Sequence, residues 1–291
     1  MSQPVLRNGF ETVTSLVKQR DCMSEELKNA QLSSFLQTAE HAALKAGKLL
    51  VSKMGQVTVQ EKNPRDYVTQ ADIESQELIQ NAIHAVFPDH GFLGEESDNS
   101  STTLNQDSPF CWIVDPLDGT TNFIHQLRSF SVSIGLRYKN EMIVGCVHDP
   151  LSHETYSAAK GLGAHLNGQP ITTSKTESTN QSIVVCSLPG QLTRESDELK
   201  QLINVLCDSH ATVRRLGSAA LNLSYIACGR IDSYWSTLAK IWDIAAGVVI
   251  LQEAGGVITN IAGEALDWDD LNFVASASNK LNDELINHLK V

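Results

Sequence analysis

From Leu32 onward the apolar residues Phe35, Leu36, Ala39, Ala42, Ala43, Ala46 and Leu50 recur at helical spacing, which predicts a long amphipathic helix. Residues 57–60 read as a short strand. A second helix is expected after Thr69, carried by Ile79, Ile83 and Val86 and stopped by Pro88, which cannot continue it. Alternating positions then give strands over 129–138 and 141–148, joined by a Lys139-Asn140 turn.

Near residue 175 the texture changes. Residues 172–181 are rich in Thr, Ser and Asn, as in a linker or long loop. Beyond it strands are expected at 182–187, 211–215, 232–235, 257–260 and 272–277. Helices fall between them at 197–209, 218–228 and 244–253, with a closing one at 281–289. Such alternation points to a layered α/β arrangement. The chain divides accordingly into a half at 31–175 and a half at 176–291. Residues 1–30 are mixed, polar and weakly periodic, and read as a loosely attached leader.

With 291 residues and 42% hydrophobic content, the chain has ample material for a core. The formal net charge of −12 argues against non-specific nucleic-acid binding. Six cysteines are scattered without a C-x-x-C pair, which fits free thiols in a reducing compartment. No apolar run approaches the length of a membrane span, and the N-terminus lacks a signal-peptide core, so a cytoplasmic protein is expected.

The chemistry concentrates in Trp112-Ile113-Val114-Asp115-Pro116-Leu117-Asp118-Gly119-Thr120-Thr121-Asn122-Phe123. An apolar strand expected to end at Val114 delivers two carboxylates three residues apart, then breaks at glycine into hydroxyl-bearing residues. Pro116 holds Asp115 extended. Gly119 permits close backbone approach to a ligand, and Thr120 and Thr121 can open a helix whose N–H groups attract anions. Hard oxygen donors beside such a turn suit a divalent cation next to a phosphate.

Three further segments accompany it: Asp66-Tyr67-Val68-Thr69-Gln70-Ala71-Asp72, Gly94-Glu95-Glu96-Ser97 and Trp242-Asp243-Ile244-Ala245-Ala246-Gly247. With these in order, the chain from about residue 33 onward resembles the inositol monophosphatase family of Mg2+-dependent, lithium-sensitive phosphatases. The resemblance implies an αβαβα sandwich of the sugar-phosphatase type, two stacked α/β (α+β) halves with the site between them. It implies a first metal held by Glu95, Asp115 and the Leu117 carbonyl, and a second held by Asp115, Asp118 and Asp243. Glu95, Asp72 and Thr120 would orient a water that attacks phosphorus directly. Phosphate would lie against the N–H groups of Gly119 and Thr120. The Leu216-Gly217-Ser218-Ala219-Ala220 run matches the family's segment near the substrate's organic part, bringing Gly217, Ser218 and Ala219 into the substrate site with Asp118 and Asp243. The family often forms dimers, so a homodimer is implied.

Each motif also has a duller explanation. Thr69-x-x-Asp72 reads as a capping box, Glu95-Glu96 as a solvated acidic pair, Asp243 as a residue favoured by a helix dipole. Lys62 reads as exposed. His125, His148, His153 and His165 show no ligand spacing and read as structural or exposed. Converging carboxylates would repel one another and be driven to protonate without a cation.

One position departs from the family. Animal inositol monophosphatases carry a ring-binding glutamate seven residues before the Trp-Asp aspartate, where this chain has Ser236. The metal centre is untouched, but substrate choice opens to histidinol phosphate or another sugar or nucleotide phosphate. The Thr-Thr-Asn-Phe ending favours the monophosphatase branch over the nucleotide-bisphosphate branch. An aspartyl-phosphate enzyme of the haloacid-dehalogenase type would want Asp-x-Asp-x-Thr after an early strand. A non-catalytic regulatory protein on this scaffold is the third alternative.

Overall fold

The computed structural model describes residues 25–56, 58–63, 66–97, 108–189, 191–237 and 239–291. The leader's residues 1–24 lie outside them, as do Val57 and the Lys62 side chain. Helix α1 runs Glu25–Lys53, so residues 25–30 belong to it rather than to a leader. A hairpin of β1, Val59–Asn63, and β2, Asp66–Thr69, leads into α2, Gln70–His84.

A seven-stranded sheet follows in the order β3 to β9. Its strands are β3 Gly91–Gly94, β4 Phe110–Asp118, β5 Ser131–Tyr138, β6 Glu141–Asp149, β7 Glu154–Ala159, β8 Ala164–Leu166 and β9 Gln169–Pro170. Only the β3–β4 pair is parallel. Between β4 and β5 sits the short helix α3, Thr120–Ile124.

After the loop of residues 171–182, a second sheet has the order β11-β10-β12-β14-β13. These strands are β10 Ile183–Ser187, β11 Thr212–Arg214, β12 Ser233–Ser236, β13 Val257–Asn260 and β14 Phe273–Ser276. The helices interleaved with them are α4 Asp197–Asp208, α5 Ala219–Ala227, α6 Ile241–Glu253 and α7 Asn279–Leu289.

Burial sorts these elements into five layers. Ala39, Ala42, Ala43, Ala46 and Leu50 of α1, with Ile79 and Ile83 of α2, cover one face of the first sheet. Helices α5 and α6 fill the space between the sheets, Ala245, Ala246 and Val249 facing the first and Ile244 and Val248 the second. Leu285 of α7 and Val205 of α4 close the outer face with Val184 and Trp235. The expected αβαβα sandwich is the fold. Its central packing is tight: a Cβ on Gly145 would stand 2.1 Å from the Ala246 carbonyl oxygen, so α6 lies directly against β6. That contact seats the N-terminus of α6, and Asp243 with it, over the first sheet.

No helix among the described residues is long and apolar enough to cross a membrane. Cys111, Cys146, Cys186, Cys207 and Cys228 are free thiols, and Cys22 lies outside the described residues.

Candidate active site

The strand β4 does not end at Val114 but continues through Asp118. Residues three apart on a regular strand face opposite sides. Here Asp115 pairs with Ser133 and Asp118 with Ser131, so β4 carries one residue more than β5 between the two pairs. This bulge re-aims Asp118 to the face that Asp115 already occupies. Pro116 lies within the irregularity, where its missing N–H costs no ladder bond, and its carbonyl accepts from Ser75 Oγ of α2 at 2.9 Å.

Both carboxylates are withdrawn from water, Asp115 to 2% and Asp118 to 6% exposure. Asp115 Oδ1 accepts from the Leu117 N–H at 2.9 Å. Burial raises the Asp115 carboxyl well above the ordinary range, and the charges of Glu95, Asp118 and Asp243 raise it further. Asp118 is pushed up to about 6 by burial, against the pull of hydrogen bonds from Ser218, Ala219, Ala220 and Ser131. Asp243, whose Oδ2 accepts from the Lys240 N–H at 2.7 Å, is raised to about 7 by burial and then by the Asp118 charge. Acidic groups from three distant segments therefore share one electrostatic environment.

Glu95 follows the last residue of β3, and its N–H donates to the Val114 carbonyl at 3.1 Å, which pins it beside β4 next to Asp115. Gln76, one helical turn beyond Asp72, accepts from the Glu96 N–H at 2.9 Å and holds this turn against α2. Asp72 is 1% exposed. Its Oδ2 accepts from the Thr69 N–H and hydroxyl at 2.9 and 2.6 Å, closing the capping box of α2. Burial raises it to about 6 despite those bonds, and the Glu96 charge adds to the rise.

Gly119 sits at φ 94°, a left-handed conformation that turns the strand into α3. The turn brings the Thr120 hydroxyl within 3.1 Å of the Leu117 carbonyl oxygen and 3.3 Å of Asp72 Oδ1. Asn122 donates to the carbonyls of Ser129 and Leu216 at 2.6 and 2.8 Å and so fastens α3 to the approach to α5. Asp118, Gly217, Ala219, Ser236 and Asp243 line a pocket of about 250 Å³ together with Ser187, Leu188, Tyr234 and Ala239. Ser218 is buried behind it as the cap of α5.

Sequence reasoning missed Gln76, Ser131, Ser187 and Tyr234. Gln76 alone left a trace, one helical turn from Asp72 on the same face. The others become neighbours only through the sheet register and the closure of one half over the other. His148 is buried and bonded through Nδ1 to the Glu154 carbonyl, a structural histidine as expected. A larger cavity of about 530 Å³, lined by His148, Glu40 and Leu44 among others, shares no residue with the carboxylate pocket.

Among the described residues, no three acidic, His or Cys side chains as placed form a group that could hold a metal ion. Both oxygens of Asp118 accept hydrogen bonds from the N-terminus of α5. The donor chemistry nonetheless suits a hard divalent cation, because the set is all oxygen and its members raise one another's affinity for protons. Asp115 Oδ2 and Asp243 Oδ1 accept no hydrogen bond among the described residues.

Comparison with known proteins identifies the family and agrees with the fold. The family model described as "Inositol monophosphatase family" matches residues 31–290. The inositol-1-monophosphatase of Synechocystis is 39% identical, over 88% of this chain and 88% of that one. The Nus factor SuhB of Pseudomonas aeruginosa is 34% identical, over 80% of this chain and 87% of its own. The solved inositol monophosphatase of Anabaena superposes with a TM-score of 0.79 at 36% identity, covering 89% of this chain and 96% of that one. Fold, carboxylate pocket and sequence converge on one assignment: the chain belongs to the inositol monophosphatase family.

Proposed function

We propose that the protein hydrolyses a small phosphate monoester with Mg2+, inositol monophosphate being the first substrate to try, by direct attack of water on phosphorus. The observation that carries this is the convergence of carboxylates from three distant segments around the buried Asp115: burial raises its proton affinity most, and the charges of Glu95, Asp118 and Asp243 raise it further. A pure scaffold has no evident use for that repulsion.

In this reading Glu95, Asp115, the Leu117 carbonyl, Asp118 and Asp243 hold the ions. Bound there, they would neutralise phosphate charge and supply an acidified water. Asp72 and Thr120, joined by a hydrogen bond of 3.3 Å, orient that water with Glu95. The N–H groups of Gly119 and Thr120 face the phosphate, and the pocket bounded by Gly217, Ala219 and Ser236 receives the organic part. Lithium would compete at the second metal position; activity unchanged across a millimolar-range titration removes that claim.

The test is phosphate release from a panel of inositol, sugar, nucleotide and histidinol phosphates with Mg2+. Release from none of them overturns the reading. Relatives carrying the name Nus factor SuhB favour a second reading, a regulatory protein on the same scaffold. If Asp118→Asn costs stability without costing turnover, that second reading gains.

A further inference from the structure

Helix α5 is fastened at both ends to the first half of the molecule. At its N-terminus, Ala219 N–H, Ala220 N–H and the Ser218 hydroxyl converge on the Asp118 carboxylate at 3.1, 2.8 and 2.5 Å. Beyond its C-terminus, Arg230 forks onto Glu154 of β7, Nη1 to Oε2 and Nη2 to Oε1, both at 2.6 Å. The fully buried Tyr156 completes this clasp. Its hydroxyl donates to Glu154 Oε2 at 2.8 Å and accepts from Arg230 Nη1 at 2.8 Å. The guanidinium also lies 5.5 Å from the centre of the Tyr225 ring, within α5 itself, and the Arg230 N–H donates to the Tyr225 carbonyl at 2.9 Å.

We infer that the Arg230–Glu154–Tyr156 clasp is a positioning device for Asp118, acting through the axial register of α5. The inference rests on the reading of Asp118 as a ligand of the second metal. Apolar packing between the sheets already interlocks the middle of α5 with its neighbours, Leu223 lying so close to Gly247 that a Cβ there would come within 2.7 Å of it; the clasp adds a directional restraint beyond the end of α5 opposite Asp118. A bidentate guanidinium–carboxylate pair is directional in both distance and plane. The helix has 9 residues, about 13 Å long, so a shift at one end is delivered almost unchanged at the other. There it decides whether the two α5 N–H groups hold Asp118 turned toward the helix or release it toward Asp243. Supporting groups around a metal ligand are typically worth a factor of 10–100 in metal affinity.

The experiment measures Mg2+ binding to the full chain by the concentration that half-maximally raises the melting temperature, beside Mg2+ activation of phosphate release. Arg230→Met and Glu154→Gln are expected to raise the half-saturating Mg2+ concentration by about 3-fold, less than loss of a direct partner of the ligand would, because a partly exposed ion pair contributes little. Arg230→Lys, which keeps the charge but loses the fork, falls between. Leu285→Ala, in the outer layer of the second half, is expected to lower the melting temperature while leaving the Mg2+ dependence where it was. If Arg230→Met behaves like Leu285→Ala, the clasp is merely structural and the inference is overturned. A wild type that binds Mg2+ but hydrolyses nothing in the panel sinks the proposed function and leaves the clasp standing. A wild type that binds no Mg2+ sinks both.

Discussion

Thr120 and Asp72, 48 residues apart in sequence, meet across a hydrogen bond of 3.3 Å from the threonine hydroxyl to Oδ1. The other oxygen of the same carboxylate closes the α2 capping box with Thr69. A capping residue and a catalytic residue are usually weighed as alternatives; here one side chain closes the cap and also meets Thr120, so the catalytic role proposed for Asp72 is compatible with the cap. The cap fixes the rotamer, and the fixed rotamer presents Oδ1 to the site.

Thr120→Ala removes the hydroxyl that joins the Leu117 carbonyl to Asp72. Turnover is expected to fall by about 10²-fold, the lower bound for losing a positioned proton-transfer partner. The melting temperature should move little, since Thr120 is only half-buried. Steady-state kinetics beside a thermal melt check this, and an unchanged kcat refutes the role.

What could be read from the sequence was local. Glu95, Asp115, Asp118, Asp72 and Asp243 stand in short segments whose residue types announce hard-cation chemistry, and alternation of strands and helices announced the layers. The bulge between Asp115 and Asp118 was hidden, because register is set by β5, a strand whose own pattern says nothing of its partner's extra residue. Ser131, Ser187 and Tyr234 were hidden for a similar reason: an isolated serine or tyrosine in a strand looks the same whether or not a distant carboxylate or hydroxyl comes to meet it. The early start of α6 at Ile241 follows from Asp243 accepting the Lys240 N–H, a first-turn contact that apolar periodicity does not register.

The raised carboxylates make the metal-free protein sensitive to pH with a definite sign. Burial and then the Asp118 charge push Asp243 from the ordinary 3.8 up to about 7 in the folded protein. Its contribution is therefore fully present below the unfolded value and lost as pH rises through the folded one. His90 and His148, lowered by burial, act in the opposite direction. Comparison with Asp243→Asn removes this carboxylate together with its effect on Asp115 and Asp118, and both changes have the same sign. In EDTA the variant should gain stability relative to wild type as pH rises from about 5 to 8. A difference that stays constant across that range rules the effect out.

Ser218 uses its hydroxyl twice, donating to Asp118 Oδ2 and accepting from the Leu221 N–H at 3.2 Å. Ser218→Ala should cost about 1 kcal/mol as a lost helix cap. It should separately raise the Mg2+ requirement by about 10-fold or more through the loosened carboxylate. Denaturant melts without metal measure the first effect and Mg2+ titration of activity the second. A variant showing only the first would reduce Ser218 to a cap.

Ser236 stands at the end of β12, 2% exposed, in the same pocket as Asp118 and Asp243. With Ser187 and Tyr234 nearby, that wall offers hydroxyls and no charge. A carboxylate placed there could accept hydrogen bonds from ring hydroxyls, and a charged acceptor is worth about 1.5–3 kcal/mol, roughly a factor of 10 to 100 in affinity. Ser236→Glu should therefore lower KM for inositol monophosphate by about 10-fold while leaving a monoester without ring hydroxyls unaffected. The same change brings a third acidic group against Asp118 and Asp243, so the metal-free protein should melt earlier and Mg2+ should recover more of the loss than in wild type. An equal shift in KM for every ester would mean that this wall of the pocket does not read the substrate.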